Sequence, residues 1–128
     1  MSANDLTVRL FGVLGSGLGL LAVALGAFGA HWLQGRLSPQ DLVIFETGVR
    51  YQMYHSLALL LVVVLILRGG AGGSVMAGWA FFAGILLFSG SLYLMVFSGV
   101  RWLGAITPLG GVAFLVGWGL LAWSFARG

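Results

Sequence analysis

The sequence predicts an all-α integral membrane protein, a four-transmembrane-helix bundle with short loops and both termini on one side of the bilayer. That prediction rests on three observations. The chain of 128 residues is 60% hydrophobic and only 7% charged, whereas a soluble domain is about 25% charged and about half apolar. Six basic and three acidic side chains cannot cover the surface of a water-soluble protein of this size. Finally, long apolar stretches recur at about residues 8–30, 47–67, 75–97 and 107–125, separated by short polar or glycine-rich segments. Residues 1–128 are read as a single transmembrane domain.

The first span covers residues 8–30, after a short polar tail, with Arg9 at its mouth. About 20 residues rising about 1.5 Å each cross a hydrocarbon core of about 30 Å. A cleaved secretory signal is the rival reading, because Ala27-Phe28-Gly29 has the small residues of a cleavage site. The apolar stretch exceeds the roughly 7–15 residues of a signal core, which favours a retained helix. Gly12, Gly15, Ser16, Gly19, Ala22, Gly26, Gly29 and Ala30 recur at three- and four-residue steps. Such a stripe lets another helix approach closely; a groove for a lipid or quinone is the alternative use of the same face.

His31-Trp32 closes this helix at the far interface, where Trp is favoured. Ser38-Pro39-Gln40-Asp41 reads as a helix start. Ser38 can cap, and Pro39 suits the first turn because its missing N–H would be unpaired there. Only Gly48 interrupts the pattern from residue 39 to 67. A straight helix of that length reaches about 43 Å, which overshoots the hydrocarbon. Its first turns are therefore expected in the headgroup layer, with the span proper beginning near residues 47–51.

Residues 68–74 form a glycine-rich flexible turn. The third span carries Trp79 near one end and the small residues Ala77, Ala80, Gly84 and Ser91. Thr107-Pro108 is placed to start the fourth helix, in preference to a start at Trp102 with a kink at Pro108. Arg9, Arg68 and Arg127 fall on the terminal side, and Arg36, Arg50 and Arg101 on the other. Three against three gives the positive-inside rule nothing to choose between. These arginines read as interfacial anchors for membrane lipids rather than a nucleic-acid patch, since no basic run exists. With no cysteine, disulfides, thiolate metal sites and Cys nucleophiles are excluded.

Polar side chains inside a span are costly and require a reason. The candidate cluster comprises His31, Glu46, Arg50, Tyr51, Gln52, His55, Ser89, Ser91, Tyr93 and Thr107, all expected toward the leaflet remote from the termini. Glu46 and Arg50 stand four apart in the favoured order for an ion pair along one helix face. Tyr51 and His55 share a face, as do Gln52 and Ser56. The cluster reads either as a ligand pocket or as an internal hydrogen-bond network that sets helix packing. Zinc takes three or four protein ligands, and two His at unequal depth do not suit a metal or a bis-His haem. A Ser nucleophile served by His55 would need Glu46 as orienter, which is better used by Arg50. No catalytic residue, metal ligand or cofactor is assigned. A transport path needs polar lining through both leaflets, and the terminal-side leaflet offers only Ser16 and glycines.

Four ordered motifs resemble one family. They are Gly26-Ala27-Phe28-Gly29-Ala30-His31; Phe45-Glu46-Thr47 with Val49-Arg50-Tyr51-Gln52-Met53-Tyr54-His55; Gly84-Ile85 with Leu87-Phe88-Ser89-Gly90-Ser91-Leu92-Tyr93; and Ile106-Thr107-Pro108-Leu109-Gly110-Gly111. In this order they resemble the family catalogued as domain of unknown function 423, small four-span proteins of bacterial inner membranes with eukaryotic relatives. The resemblance implies topology and multi-pass residence in the inner (plasma) membrane, and it brings no activity, substrate or cofactor. The function expected is non-enzymatic: a lipid- or quinone-binding protein, or an assembly factor for a partner membrane subunit, with a homo-oligomer also open. A small transporter or channel subunit is the first alternative. A haem- or metal-binding redox subunit is the second.

Overall fold

The computed structural model describes residues 1–70 and 72–127. Ala71, in the turn expected to be flexible, and Gly128 lie outside the described residues. Four helices are long and apolar enough to cross a membrane: α1, Ala3–Leu33; α2, Pro39–Leu67; α3, Gly73–Ser98; and α4, Arg101–Ala126. Four crossings bring both termini to one side.

Local chemistry explains where the helices begin. Residues 3–7, expected as a tail, are helical because Ser2 and Asp5 cap reciprocally. The Asp5 N–H donates to Ser2 Oγ at 3.2 Å, and the Ser2 N–H donates to Asp5 Oδ2 at 2.9 Å. At the head of α2, Ser38 Oγ accepts from the Asp41 N–H at 3.1 Å, and Pro39 occupies the first helical position. α4 opens as a 3-10 turn over Arg101–Ala105 and becomes α-helical at Thr107 with Pro108 in its first turn. Two features have no counterpart in the sequence reading. α1 widens into a π-helix over Ala24–Gly29, and α3 does so over Ile85–Ser89. Each π turn changes the facing of the residues beyond it relative to a regular α-helix.

α2 and α3 form the inner pair, with α1 packed on α2 and α4 packed on α3. The α1 stripe serves this packing: a Cβ on Gly15 would lie 3.0 Å from Leu60, and one on Gly26 would lie 3.1 Å from Val49. Gly12 instead faces open space. Elsewhere aromatic rings fill glycine notches. Phe11 of α1 sits over Gly78 of α3, Phe81 of α3 over Gly117 of α4, and Phe114 of α4 over Gly84 of α3. Gly110 lies against the main chain of Phe88. Between these notches a buried core runs through Phe11, Leu59, Val62, Phe81 and Phe114. Lipid tails are as apolar as leucine, so close backbone approach and van der Waals contact, rather than expulsion from water, hold such helices together.

Adjacent glycines in α4 separate these roles. Gly110→Ala is expected to lower stability by about 2 kcal/mol or more, because the new methyl meets backbone that cannot move aside. Gly111→Ala has nothing within 4 Å and is expected to be neutral or to stabilise by about 0.5 kcal/mol through helix propensity. Thermal unfolding of both variants in one detergent checks the contrast.

Candidate functional site

The polar groups separate onto two faces of α2. On the face toward α1 and α3 lies a hydrogen-bonded seam built around Gln52, which is 3% exposed. Its Nε2 donates to the Leu18 carbonyl of α1 at 2.8 Å, and its Oε1 accepts from the Tyr93 hydroxyl of α3 at 2.7 Å. One side chain therefore ties three helices. Ser89 of α3 donates to the Gly48 carbonyl at 2.6 Å, and Ser56 donates to the Gln52 carbonyl at 2.7 Å. A Cβ on Gly48 would sit 2.8 Å from the Tyr93 ring, so only a glycine there lets Tyr93 and Ser89 reach α2 together. A third polar link, between the Ser91 and Thr107 hydroxyls at 2.6 Å, joins α3 to α4.

The other face of α2 presents His55, which is 4% exposed. Its Nδ1 is 2.7 Å from the Tyr51 carbonyl, and its Nε2 is 3.1 Å from Trp118 Nε1 of α4. A carbonyl only accepts and an indole N–H only donates, so these bonds assign the neutral tautomer with hydrogen on Nδ1. The imidazole stacks on Phe114 with centroids 3.5 Å apart and planes 8° from parallel. Around this stack, between α2 and α4, lies an open cleft of about 380 Å³ walled by Tyr51, Tyr54, His55, Phe88, Phe114 and Trp118. Among the described residues the Tyr51 and Tyr54 hydroxyls have no hydrogen-bond partner. The cleft thus combines stacking walls with two tyrosines whose hydroxyls are unpaired among the described residues.

The structure brings Gln52, Ser89 and Tyr93 together, links Ser91 to Thr107, and turns Tyr51 and His55 to the opposite face. His31 is exposed at the end of α1, Arg50 is exposed and Glu46 is half-buried; none of the three hydrogen-bonds to the seam. The Glu46–Arg50 pairing expected from sequence is not formed. The ion pair among the described residues joins Arg101 to Asp41, with guanidinium nitrogens 2.9 and 3.1 Å from the two carboxylate oxygens. A bidentate fork holds a carboxylate better than a single-point contact. At a polar membrane surface an isolated pair along one helix gains little. Sequence reasoning passed over Asp41, Tyr54, Phe88, Phe114 and Trp118 as site residues. Trp118 carried a usable signal, since an indole N–H in mid-span must find an acceptor within the protein.

Both His55 nitrogens are engaged within the protein. Among the described residues no group of three or more His, Asp or Glu stands where it could hold a metal ion. The seam links neighbouring helices, and the cleft offers a ring-sized, largely apolar space.

These features define a small multi-pass helical membrane protein with a buried polar seam and an aromatic cleft open at its side. The family model described as "Protein of unknown function (DUF423)" matches residues 25–111, and the chain belongs to this family. It is similar to the UPF0382 membrane protein YwdK of Bacillus subtilis, 51% identical over 112 residues that cover 87% of this chain and 91% of that protein. The UPF0382 membrane protein SAB0533 of Staphylococcus aureus is 49% identical over 115 residues, covering 89% of this chain and 93% of its own. SERP0230 of Staphylococcus epidermidis, another UPF0382 membrane protein, is 48% identical over 112 residues, covering 87% and 90%. No solved structure matches.

Three mutant cycles test the polar geometry. Gln52→Leu and Tyr93→Phe are expected to show a coupling of about 1 kcal/mol in unfolding free energy, within the range found for interhelical bonds in membranes. Glu46→Gln and Arg50→Gln are expected to be additive, while Asp41→Asn and Arg101→Gln are coupled in a way that salt weakens. Coupling at the first charged pair and none at the second would contradict this placement.

Proposed function

We propose that this chain is a non-enzymatic lipid-binding protein of the inner (plasma) membrane whose α2–α4 cleft receives the ring of a membrane quinone. The observation that carries the reading is the aromatic cleft itself. Tyr51, Phe88, Phe114 and Trp118 supply flat apolar walls around a space of about 380 Å³, within the roughly 300–1,000 Å³ of small-molecule sites. A quinone ring stacks on such walls, and its carbonyl oxygens require donors that the Tyr51 and Tyr54 hydroxyls can provide. The cleft opens sideways, so an apolar tail can remain among the lipid chains.

Extraction of the wild-type protein in native lipid discs, followed by mass spectrometry, is expected to find quinone in stoichiometric amount. The double variant Tyr51→Phe, Tyr54→Phe keeps the rings and removes the donors; it should retain about tenfold less, the equivalent of one or two neutral hydrogen bonds. Wild-type protein that is repeatedly empty, or a double variant that retains quinone fully, counts against the reading.

A partner helix on the outer face of α1 is a second reading, for a membrane subunit or another copy of the chain. It is favoured by Gly12 and Gly17, at which an added Cβ would meet nothing within 4 Å. The chain has no cysteine, so Gly17→Cys supplies a single crosslinking handle. A crosslinked species in native membranes supports this reading, and only monomer removes it.

A further inference from the structure

A glycine inside a helix has a cost. It loses more backbone freedom on folding than any other residue and is less favourable there than alanine. In a membrane helix the usual compensation is the close approach of a neighbour. Gly84, Gly110 and Gly117 follow that pattern, with Phe114, the main chain of Phe88 and Phe81 in the space a Cβ would take. Gly111 does not. It stands beyond the first turn of the α-helical part of α4, its φ is not in the left-handed region, and an added Cβ would meet nothing within 4 Å. Neither packing nor backbone conformation calls for a glycine at this position.

Gly111 does have a place in the wall of the aromatic cleft. Phe114, Leu115 and Trp118 follow it at steps of three, four and seven residues, so the four share the face that α4 turns to the cleft. The preceding residue, Gly110, lies against the Phe88 main chain. The Phe88 ring in turn is 4.7 Å from the Tyr51 ring and 5.5 Å from the Phe114 ring, centroid to centroid. Residue 111 is therefore beside a group of three rings. Two turns further along α4, the Trp118 indole is held by His55 and fills the same face. Three positions of this face carry bulk, and the fourth is bare main chain.

We propose that Gly111 sets the width of headgroup that the cleft accepts. The inference rests on the quinone reading of the cleft and adds a selection to it. Stacking walls tell a flat occupant from one that is not flat, but they do not measure its breadth. The missing side chain at 111 does so. Bare main chain there leaves room for a headgroup of two fused rings, and a side chain at that point narrows the cleft to one ring. The cost of the glycine to the helix is then the cost of keeping the site open, a trade of stability against binding.

The full chain is to be placed in lipid discs with equal amounts of two probes that carry the same short prenyl tail, a one-ring benzoquinone and a two-ring naphthoquinone. Native mass spectrometry counts what is retained. Wild type is expected to retain both. Gly111→Leu should retain the two-ring probe about tenfold less, the usual effect of a small change of bulk in an apolar pocket, and should lose less of the one-ring probe. Gly111→Ala should show the same order with a smaller factor, at a thermal stability no lower than that of wild type; it carries the test alone if the leucine variant unfolds. Gly119→Leu is the control, because an added Cβ there also meets nothing within 4 Å but the residue stands outside the cleft; its retention should match wild type. Undiminished binding of the two-ring probe by both Gly111 variants overturns the proposal. An equal loss in Gly119→Leu does so too, since the effect would then belong to any glycine replaced in α4. Equal loss of the two probes in the Gly111 variants removes the selection by width. Wild type that retains the one-ring probe alone overturns this inference and leaves the quinone reading standing, whereas wild type that retains neither removes both.

Discussion

Inside a bilayer a polar group has no water to fall back on, and every donor or acceptor must find its partner within the protein. Gln52 meets that demand by spending both ends of its amide on neighbouring helices, the N–H on the Leu18 carbonyl and the oxygen on the Tyr93 hydroxyl. The rotation of α1 and of α3 about their own axes then follows from α2. Ser89 repeats the device one turn away by donating to the Gly48 carbonyl. Main-chain acceptors already used within a helix accept a second bond readily because each carbonyl has two lone pairs. Small hydroxyl and amide side chains can therefore stitch helices without disturbing the helical ladders.

The glycine notches act on the same requirement from the side of shape. Phe11 over Gly78, Phe81 over Gly117 and Phe114 over Gly84 interlock neighbouring helices at three places. Each ring needs a hole where a methyl would stand. The π turns at Ala24–Gly29 and Ile85–Ser89 adjust facing between the two systems. In α3 the turn ends at Ser89, so the hydroxyl reaches Gly48 while Phe81, on the preceding segment, still faces Gly117.

The two faces of α2 consequently have different natures. Toward α1 and α3 the polar atoms are paired, beside a cleft of about 270 Å³ walled mainly by leucines and by Gln52, Ser89 and Tyr93. Toward α4 the indole of Trp118 bridges to His55, and the helices are held apart by rings rather than drawn together by small residues. A cleft remains there, with both His55 nitrogens engaged and the Tyr51 and Tyr54 hydroxyls unpaired among the described residues. This asymmetry supports assigning a structural task to the seam and a binding task to the cleft.

Composition and the rise per residue alone determined the membrane class, the four helices and the common side of the termini, because these depend on local apolar length and nothing else. The Ser38 cap and the packing role of Gly15 and Gly26 were equally legible, since a cap is local and a stripe of small residues has one main physical use. Which polar groups meet was decided only by the tertiary structure. Helical spacing says that Glu46 and Arg50 share a face, but not that Arg101, sixty residues beyond Asp41, arrives with a better-shaped partner. Nor could it say that Gln52 and His55, three apart, face different neighbours, because that depends on where α1, α3 and α4 stand around α2. A sequence carries the period of each helix; the angle between helices comes into being only when rings, glycines and hydrogen bonds are satisfied together.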